Sequence, residues 1–147
     1  MPTKYKGSPK QKRALNAFIS LMRSSESTSM SLNQKNKIEG LSIAQFSILE
    51  CLYHIGPMKA GELADKVFMS NANITYTVGT LFDKKLLDRV NDKKDRRVVN
   101  VELTKKGVSV VEDNLNNYVG DIVKIMDGIS VQEQNTLREI CRKLGKS

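Results

Sequence analysis

One histidine, two cysteines and no apolar run of bilayer-spanning length are what this chain of 147 residues offers, and each scarcity excludes something. Zinc normally needs four ligands, and Cys51 with His54, three apart on a helix, makes half a site with nothing nearby to complete it. The sequence therefore predicts no metal and no cofactor. Neither H-E-x-x-H, G-x-S-x-G nor a Gly-rich phosphate loop occurs, so no enzyme is expected. Two cysteines are too few to build a secreted fold from disulfides. Cys51 reads as a small apolar core residue; reactivity at Cys51 or Cys141 stays open. The missing run of ~18 apolar residues removes a transmembrane helix. Residues 1–13 start basic but no apolar h-region follows, so no secretory signal is expected. These readings predict a soluble, cytoplasmic protein with no membrane partner.

What is present is ordinary in amount and uneven in placement. Hydrophobic residues make up 39% and charged residues 27%, a globular balance too apolar for a disordered chain. At 16.5 kDa the chain is one domain, or one domain with helical extensions. A chain this long buries about 68–70% of its unfolded surface and needs no covalent staples. The net charge of +8 is concentrated. Residues 1–13 carry five cations (Lys4, Lys6, Lys10, Lys12, Arg13) and no acid. Residues 84–106 carry nine against Asp88, Asp92, Asp95 and Glu102, again +5, which leaves −2 for the rest. Lysines that merely solubilise would be scattered; two basic segments on a near-neutral body form a polyanion-binding footprint.

Apolar spacing gives the order of elements. Leu15, Phe18, Ile19 and Met22 recur at helical intervals after Ser8 and Pro9. The pattern fades through Ser24–Ser31 and Asn33–Lys37, an exposed helical tail or a loop, and Gly40 breaks it. Ser42 and Gln45 form a capping box before Ile43, Phe46, Leu49, Leu52 and Tyr53, and Gly56-Pro57 stops that helix. A short helix over Lys59–Val67 and another over Asn71–Lys85 are joined by Phe68-Met69-Ser70, as in a helix-turn-helix. Ile74, Val78, Leu81 and Phe82 point inward. Gly79 costs the second helix roughly 0.5–1 kcal/mol relative to Ala. Val99, Val101 and Leu103 then alternate as a strand, with Asp88–Val90 as partner and Asn91–Arg97 as a projecting tip. Thr104 caps a long helix to Asp127 that carries Val108, Val111, Leu115, Tyr118, Val119, Ile122, Val123 and Met126. After Gly128, the capping box of Ser130 and Glu133 opens a last helix with Val131, Leu137, Ile140, Cys141 and Leu144.

Two groups of side chains carry the expected chemistry. A helix entering the major groove presents short polar groups near its N-terminus, and Ser70, Asn71, Asn73, Thr75, Tyr76 and Thr77 supply them. Asn pairs bidentately with adenine, and Ser or Thr bonds phosphate or base. At the hairpin tip, Lys93, Lys94, Arg96 and Arg97 are interrupted by Asp95. Arginine at such a tip inserts into a narrow A·T-rich minor groove, and a carboxylate two residues before it holds the guanidinium as a fork.

The segment Asp92-Lys93-Lys94-Asp95-Arg96-Arg97, followed by alternating apolar residues and Leu103-Thr104-Lys105-Lys106-Gly107, resembles the wing and following helix of the MarR family of bacterial and archaeal regulators. Those wings read D-x-x-D-R-R and then L-T-x-x-G. Glu62-Leu63-Ala64 through Ser70, Ile74 and Leu81 is similar to that family's recognition unit, and the resemblance spans about residues 11–145. It implies a mainly α fold with a small β-hairpin wing. A winged helix-turn-helix over 41–104 would be flanked by dimerisation helices over 8–38 and 105–146. By position Arg97 is the minor-groove residue and Asp95 its orienting partner. Asn71-Ala72-Asn73 departs from the family's usual Ser-Arg/Pro start, so base preference does not carry over.

The expectation is a homodimeric, sequence-specific repressor of transcription that binds pseudo-palindromic double-stranded DNA. Many relatives bind small phenolic or carboxylic effectors beside the dimerisation helices, which makes Phe18, Met22, Tyr53 and His54 candidate pocket residues. Two alternatives stay open: an architectural DNA-binding protein without sequence preference, and a ligand or redox sensor that has lost DNA binding.

Overall fold

Capping chemistry sets most helix boundaries in the computed structural model, which describes residues 4–35, 38 and 40–145. Positions 36 and 37 of the polar stretch, and position 146 of the expected C-terminal part, lie outside the described residues. Six helices and a two-stranded antiparallel hairpin follow one another as α1 (Pro9–Lys35), α2 (Ile43–Ile55), α3 (Ala60–Lys66), α4 (Asn71–Asp83), β1 (Leu87–Asn91), β2 (Val99–Leu103), α5 (Lys105–Met126) and α6 (Val131–Gly145). The chain divides into two units, Asn36–Val123 and Met1–Lys35 with Lys124–Ser147.

The first unit holds the core. Phe46, Ile48 and Leu49 of α2, Leu63 of α3, Ile74 and Leu81 of α4 and Val111 of α5 are fully buried. The Ser42 hydroxyl accepts the Gln45 N–H at 3.2 Å, and Gln45 Oε1 accepts the Ser42 N–H at 2.9 Å. This satisfies two of the orphan donors that every helix start exposes. The same Gln45 donates through Nε2 to Thr80 Oγ1 at 3.0 Å, so the start of α2 is tied to α4. Gly56 ends α2 at φ 96 and donates to Leu52 O. The expected inward face of α2 is rotated: Ile48 is buried, whereas Tyr53 is exposed with its hydroxyl on Glu112 at 3.2 Å.

The hairpin pairs Leu87 with Leu103 through Asn91 with Val99. It has a further rung that the alternation does not announce. Met58, after α2, exchanges backbone hydrogen bonds with Val101 at 3.2 and 2.8 Å, so the hairpin is anchored on the buried side of β2. Helix α4 stops at Asp83, two residues earlier than its sequence pattern suggests, because Lys85 turns left-handed at φ 59. Leu86 then accepts the Thr104 N–H, the Thr104 hydroxyl donates to Lys85 O at 2.8 Å, and that hydroxyl accepts the Gly107 N–H at 3.0 Å. Thr104 therefore caps α5 and fastens it to the end of α4.

The second unit is built differently. Helix α1 is continuous through Ser24–Ser31 to Lys35, which settles the polar stretch as helix up to that residue. Neither α1 nor α6 has a buried residue. Phe18 is 60% exposed and Leu144 65%. Met22, Met30, Val131 and Ile140 are also open to solvent. Ser130 and Glu133 form the expected box at the start of α6. No helix among the described residues is long and apolar enough to cross a membrane.

Candidate nucleic-acid interface

Helix α3, the turn Val67–Ser70 and α4 form the helix-turn-helix. Met69 N–H reaches back to Ala64 O at 2.9 Å, which closes the turn, and Phe68 occupies a left-handed conformation at φ 55 with its ring 87% exposed. Ser70 is the N-cap of α4 and its hydroxyl accepts the Asn73 N–H at 3.3 Å. With Ile74, Val78 and Leu81 buried, the helix turns Asn71, Ala72, Asn73, Thr75 and Tyr76 outward, and Thr77 is half-buried.

Not all six expected side chains stand equally free. The Thr75 hydroxyl donates to Asn71 O at 2.8 Å and the Thr77 hydroxyl to Asn73 O at 2.7 Å. A hydroxyl within a helix finds the carbonyl four residues back before it finds a ligand, and it keeps only its acceptor lone pairs for DNA. Asn71, Asn73 and Tyr76 project from the helix surface. Gly79 has open space around its Cα, so no close helix contact explains it.

The wing tip is a lattice built on two aspartates. Asp92 Oδ1 accepts the N–H groups of Lys94 and Asp95 at 2.8 and 3.0 Å, while Oδ2 accepts Asn100 Nδ2 at 3.3 Å. The backbone closes through Asp92 N–H to Val98 O at 2.8 Å and Val98 N–H to Asp95 O at 2.9 Å. Asp95 takes the Arg97 guanidinium bidentately, Nε to Oδ1 and Nη2 to Oδ2, each at 3.1 Å, and accepts the Arg97 N–H as well. The expected fork is present. The Arg97 side chain is nevertheless 91% exposed, so it is oriented without being covered. Lys93, Lys94 and Arg96 have no ion-pair partner among the described residues.

Asp92 is the site residue that sequence reasoning passed over. The sequence places it in the charge balance of the basic stretch and at the head of the D-x-x-D-R-R pattern but gives it no role, although Asp two or three positions ahead of the donors is the signature of an Asx-turn. The Asp92 carboxyl lies below the usual carboxylate range because the Asp95 and Lys94 N–H groups bond its charged form. The Asp95 carboxyl is lowered chiefly by the Arg97 side chain. Both groups sit lower in the folded than in the unfolded chain, so their contribution is complete at neutral pH and is lost only as the pH falls through the lowered values. Asp95→Asn, which keeps the shape but removes the charge, is expected to weaken DNA binding without unfolding the protein; titration against a fixed duplex checks this.

Two further basic residues are held nearby. The Arg89 guanidinium lies 4.7 Å from the Phe82 ring centroid, a cation–π distance. Lys106 Nζ donates to Lys84 O at 3.1 Å.

The four candidate pocket residues fall into different units: Phe18 and Met22 on α1, Tyr53 and His54 on α2. Of these only His54 lines a recess of about 380 Å³ in the Asn36–Val123 unit, with Ser47, Glu50, Cys51, Ile55, Lys66, Val67 and Phe68. His54 Nε2 is 3.9 Å from Glu50. Burial pushes the Cys51 thiol up, and the charge of Lys66 opposes it. Among the described residues no three His, Cys, Asp or Glu side chains gather as a metal would require.

Residues 41–99 match the model of the MarR family. The HTH-type transcriptional regulator MhqR of Bacillus subtilis is 30% identical over 133 residues, which cover 90% of this chain and 92% of that one. A probable transcriptional regulator from Pseudomonas aeruginosa shares the fold with a TM-score of 0.71 and 26% identity, over 84% of this chain and 92% of that one. Sco3205, a MarR family regulator from Streptomyces coelicolor solved in complex with DNA, superposes with a TM-score of 0.82 at 16% identity, over 97% and 91% of the two chains.

Proposed function

Because the chain belongs to the MarR family and is a DNA-binding transcriptional regulator rather than an enzyme, we propose that it acts as a homodimeric repressor on pseudo-palindromic duplex DNA. In this reading residues 41–104 bind DNA. Asn71, Asn73 and Tyr76 reach base edges in the major groove, while Ser70, Thr75 and Thr77 accept or position. Lys93, Lys94 and Arg96 take phosphates, and Arg97 enters the minor groove on its Asp95 fork. The observation that carries it is that fork: an arginine fixed bidentately yet almost fully exposed presents a rigid cation at a projecting tip.

Dimerisation rests on the helices that bury nothing. Apolar side chains along α1, α6 and the end of α5 (Val119, Val123) stand open to solvent; large exposed apolar patches are rare on monomers, and two-fold symmetry pairs like surfaces. Stretches 8–38 and 105–146 are accordingly the dimerisation part, although α5 as far as Val123 packs within the DNA-binding unit. Sedimentation at micromolar concentration tests this, and a lone 16.5 kDa species would defeat it. Selection of bound sequences from a random duplex pool tests the rest. An inverted repeat with half-sites about 10–10.5 base pairs apart, or a multiple, is expected; an uninformative pool supports an architectural protein instead.

Arg97→Ala and Asn73→Ala are expected to fail differently. Loss of Arg97 weakens binding mainly where the flanks are A·T-rich. Loss of Asn73 costs about 1–3 kcal/mol at one position of the half-site. Equal losses on every member of a panel of mutated sites would refute the division between wing and helix.

A second reading adds release by a small phenolic or carboxylic effector. The recess beside His54 favours it, since Lys66 offers a cation to a carboxylate and Phe68 and Ile55 an apolar wall. Loss of DNA binding on addition of aromatic acids, abolished by Lys66→Gln, is the test.

A further inference from the structure

Helix α4 contains neither lysine nor arginine; Asp83, its last residue, is its only charged side chain. Neighbouring cations stand off the helix. Lys59 and Lys66 bound α3, the latter in the recess beside α2, and Lys84 and Lys85 lie beyond the end of α4. What α4 exposes is amide, methyl and phenol. Asn71 and Asn73 are exposed, and neither side-chain amide has a hydrogen-bond partner among the described residues; the contacts from Ser70, Thr75 and Thr77 engage only their backbone atoms. Ala72 and Tyr76, one turn apart, lie opposite the buried line of Ile74, Val78 and Leu81, and Tyr76 is 76% exposed. The Thr75 proton is committed to Asn71 O, which leaves that residue an acceptor and a methyl group to show.

Given the DNA-binding reading above, on which this rests, we infer that α4 reads A·T pairs, with adenine facing Asn71 and Asn73, and that no guanine is read bidentately from the major groove. Each base pair shows a distinct set of groups there. Adenine sets its N6 donor beside its N7 acceptor, and an asparagine amide, with donor and acceptor side by side, answers both. Guanine offers the acceptors O6 and N7 together, which calls for the paired donors of an arginine or lysine. An asparagine placed there bonds one acceptor and sets its own Oδ1 against the other. The Thr75 hydroxyl accepts from adenine N6 or cytosine N4 and has nothing to give guanine. The Ala72 methyl suits the thymine C5-methyl. In the same reading Arg97 favours A·T pairs for a separate reason, the narrow minor groove they form.

The test starts from the duplexes that the full chain retains from a random pool, with the selection repeated for Asn71→Ala and Asn73→Ala. Base pairs at which either variant loses preference are those the helix reads, and A·T is expected at each. Base analogues then separate the grooves. Inosine·C presents guanine's groups in the major groove but lacks its minor-groove amino group, and 2,6-diaminopurine·T does the reverse. In place of a helix-read A·T pair, inosine·C is expected to weaken binding roughly 5- to 150-fold, the worth of one bidentate contact. Diaminopurine·T is expected to change it little. Asn73→Ala keeps the N–H that Ser70 accepts, so it should melt with the unsubstituted protein while erasing the inosine effect at its own pair. Guanine fixed at helix-read pairs would overturn the inference, as would tolerance of inosine·C there or variants that keep every preference. Diaminopurine·T as harmful as inosine·C would overturn it too, by giving those pairs to the minor groove. A pool that returns no preferred sequence fails the sequence-specific reading itself, and this inference falls with it.

Discussion

Gly107→Ala is expected to destabilise the Asn36–Val123 unit by about 1–3 kcal/mol, the range for overpacked sites, at the upper end because the neighbour is backbone. A methyl group there would overlap the Leu86 carbonyl oxygen and stand 3.1 Å from Leu103 Cδ2. That carbonyl cannot swing aside, because it accepts the Thr104 N–H at 3.1 Å. Lys85, next in line, is already held left-handed by the same junction. The damage therefore spreads to the seam where α4, β1 and α5 meet, and DNA affinity falls along with the melting temperature. Gly79→Ala is the matched control. It lies inside α4 with nothing within 4 Å of an added Cβ, so it is expected to be neutral or to gain roughly 0.5–1 kcal/mol of helix propensity. Urea denaturation of both variants separates a steric requirement for glycine from a merely tolerated one.

Phe46→Ala is expected to cost about 3–5 kcal/mol, as large-to-small changes at aromatic core positions do. Phe46 is fully buried and meets the Tyr118 ring edge-on, with centroids 5.0 Å apart and planes at 60°. The substitution removes the side-chain transfer energy, leaves a cavity and forfeits an aromatic pair worth ≈ 0.5–1.5 kcal/mol within that total. Set against a typical domain stability of about 5–15 kcal/mol, the loss is a large fraction. Phe46→Leu keeps most of the volume and should cost distinctly less. Thermal melts that place the two together would mean that the core around α2 relaxes far more than close packing allows.

Much of the fold was legible because local chemistry and global packing agree. Ser42 with Gln45, Ser130 with Glu133 and Thr104 each announce a helix start that the structure contains. The period-two run from Val99 to Leu103 announces the strand. Where reading failed, a tertiary partner decided the outcome. Helix α2 packs against α3, α4 and β2 at once, so its apolar arc is wider than one stripe and takes in Ile48, while Glu112 draws Tyr53 outward. Met58 joins the sheet through backbone atoms, which leave no mark in the side-chain pattern. The binding surface was legible as composition but not as availability. Asn73 and Thr75 are both polar, yet only a traced hydrogen bond shows that the Thr75 proton is already committed.

The clasp between Asp95 and Arg97 changes when disorder is given up. A free arginine on a loop explores many rotamers, and fixing it on a target costs about 0.5–1.5 kcal/mol at the moment of association. Here two parallel hydrogen bonds remove that freedom as the wing folds, before any duplex arrives. In the proposed minor-groove contact the guanidinium is already aimed, so the penalty falls on the protein's own stability and not on the encounter. On that proposal a tip of fixed reach favours a groove whose width matches it over one that requires the arginine to leave its aspartate.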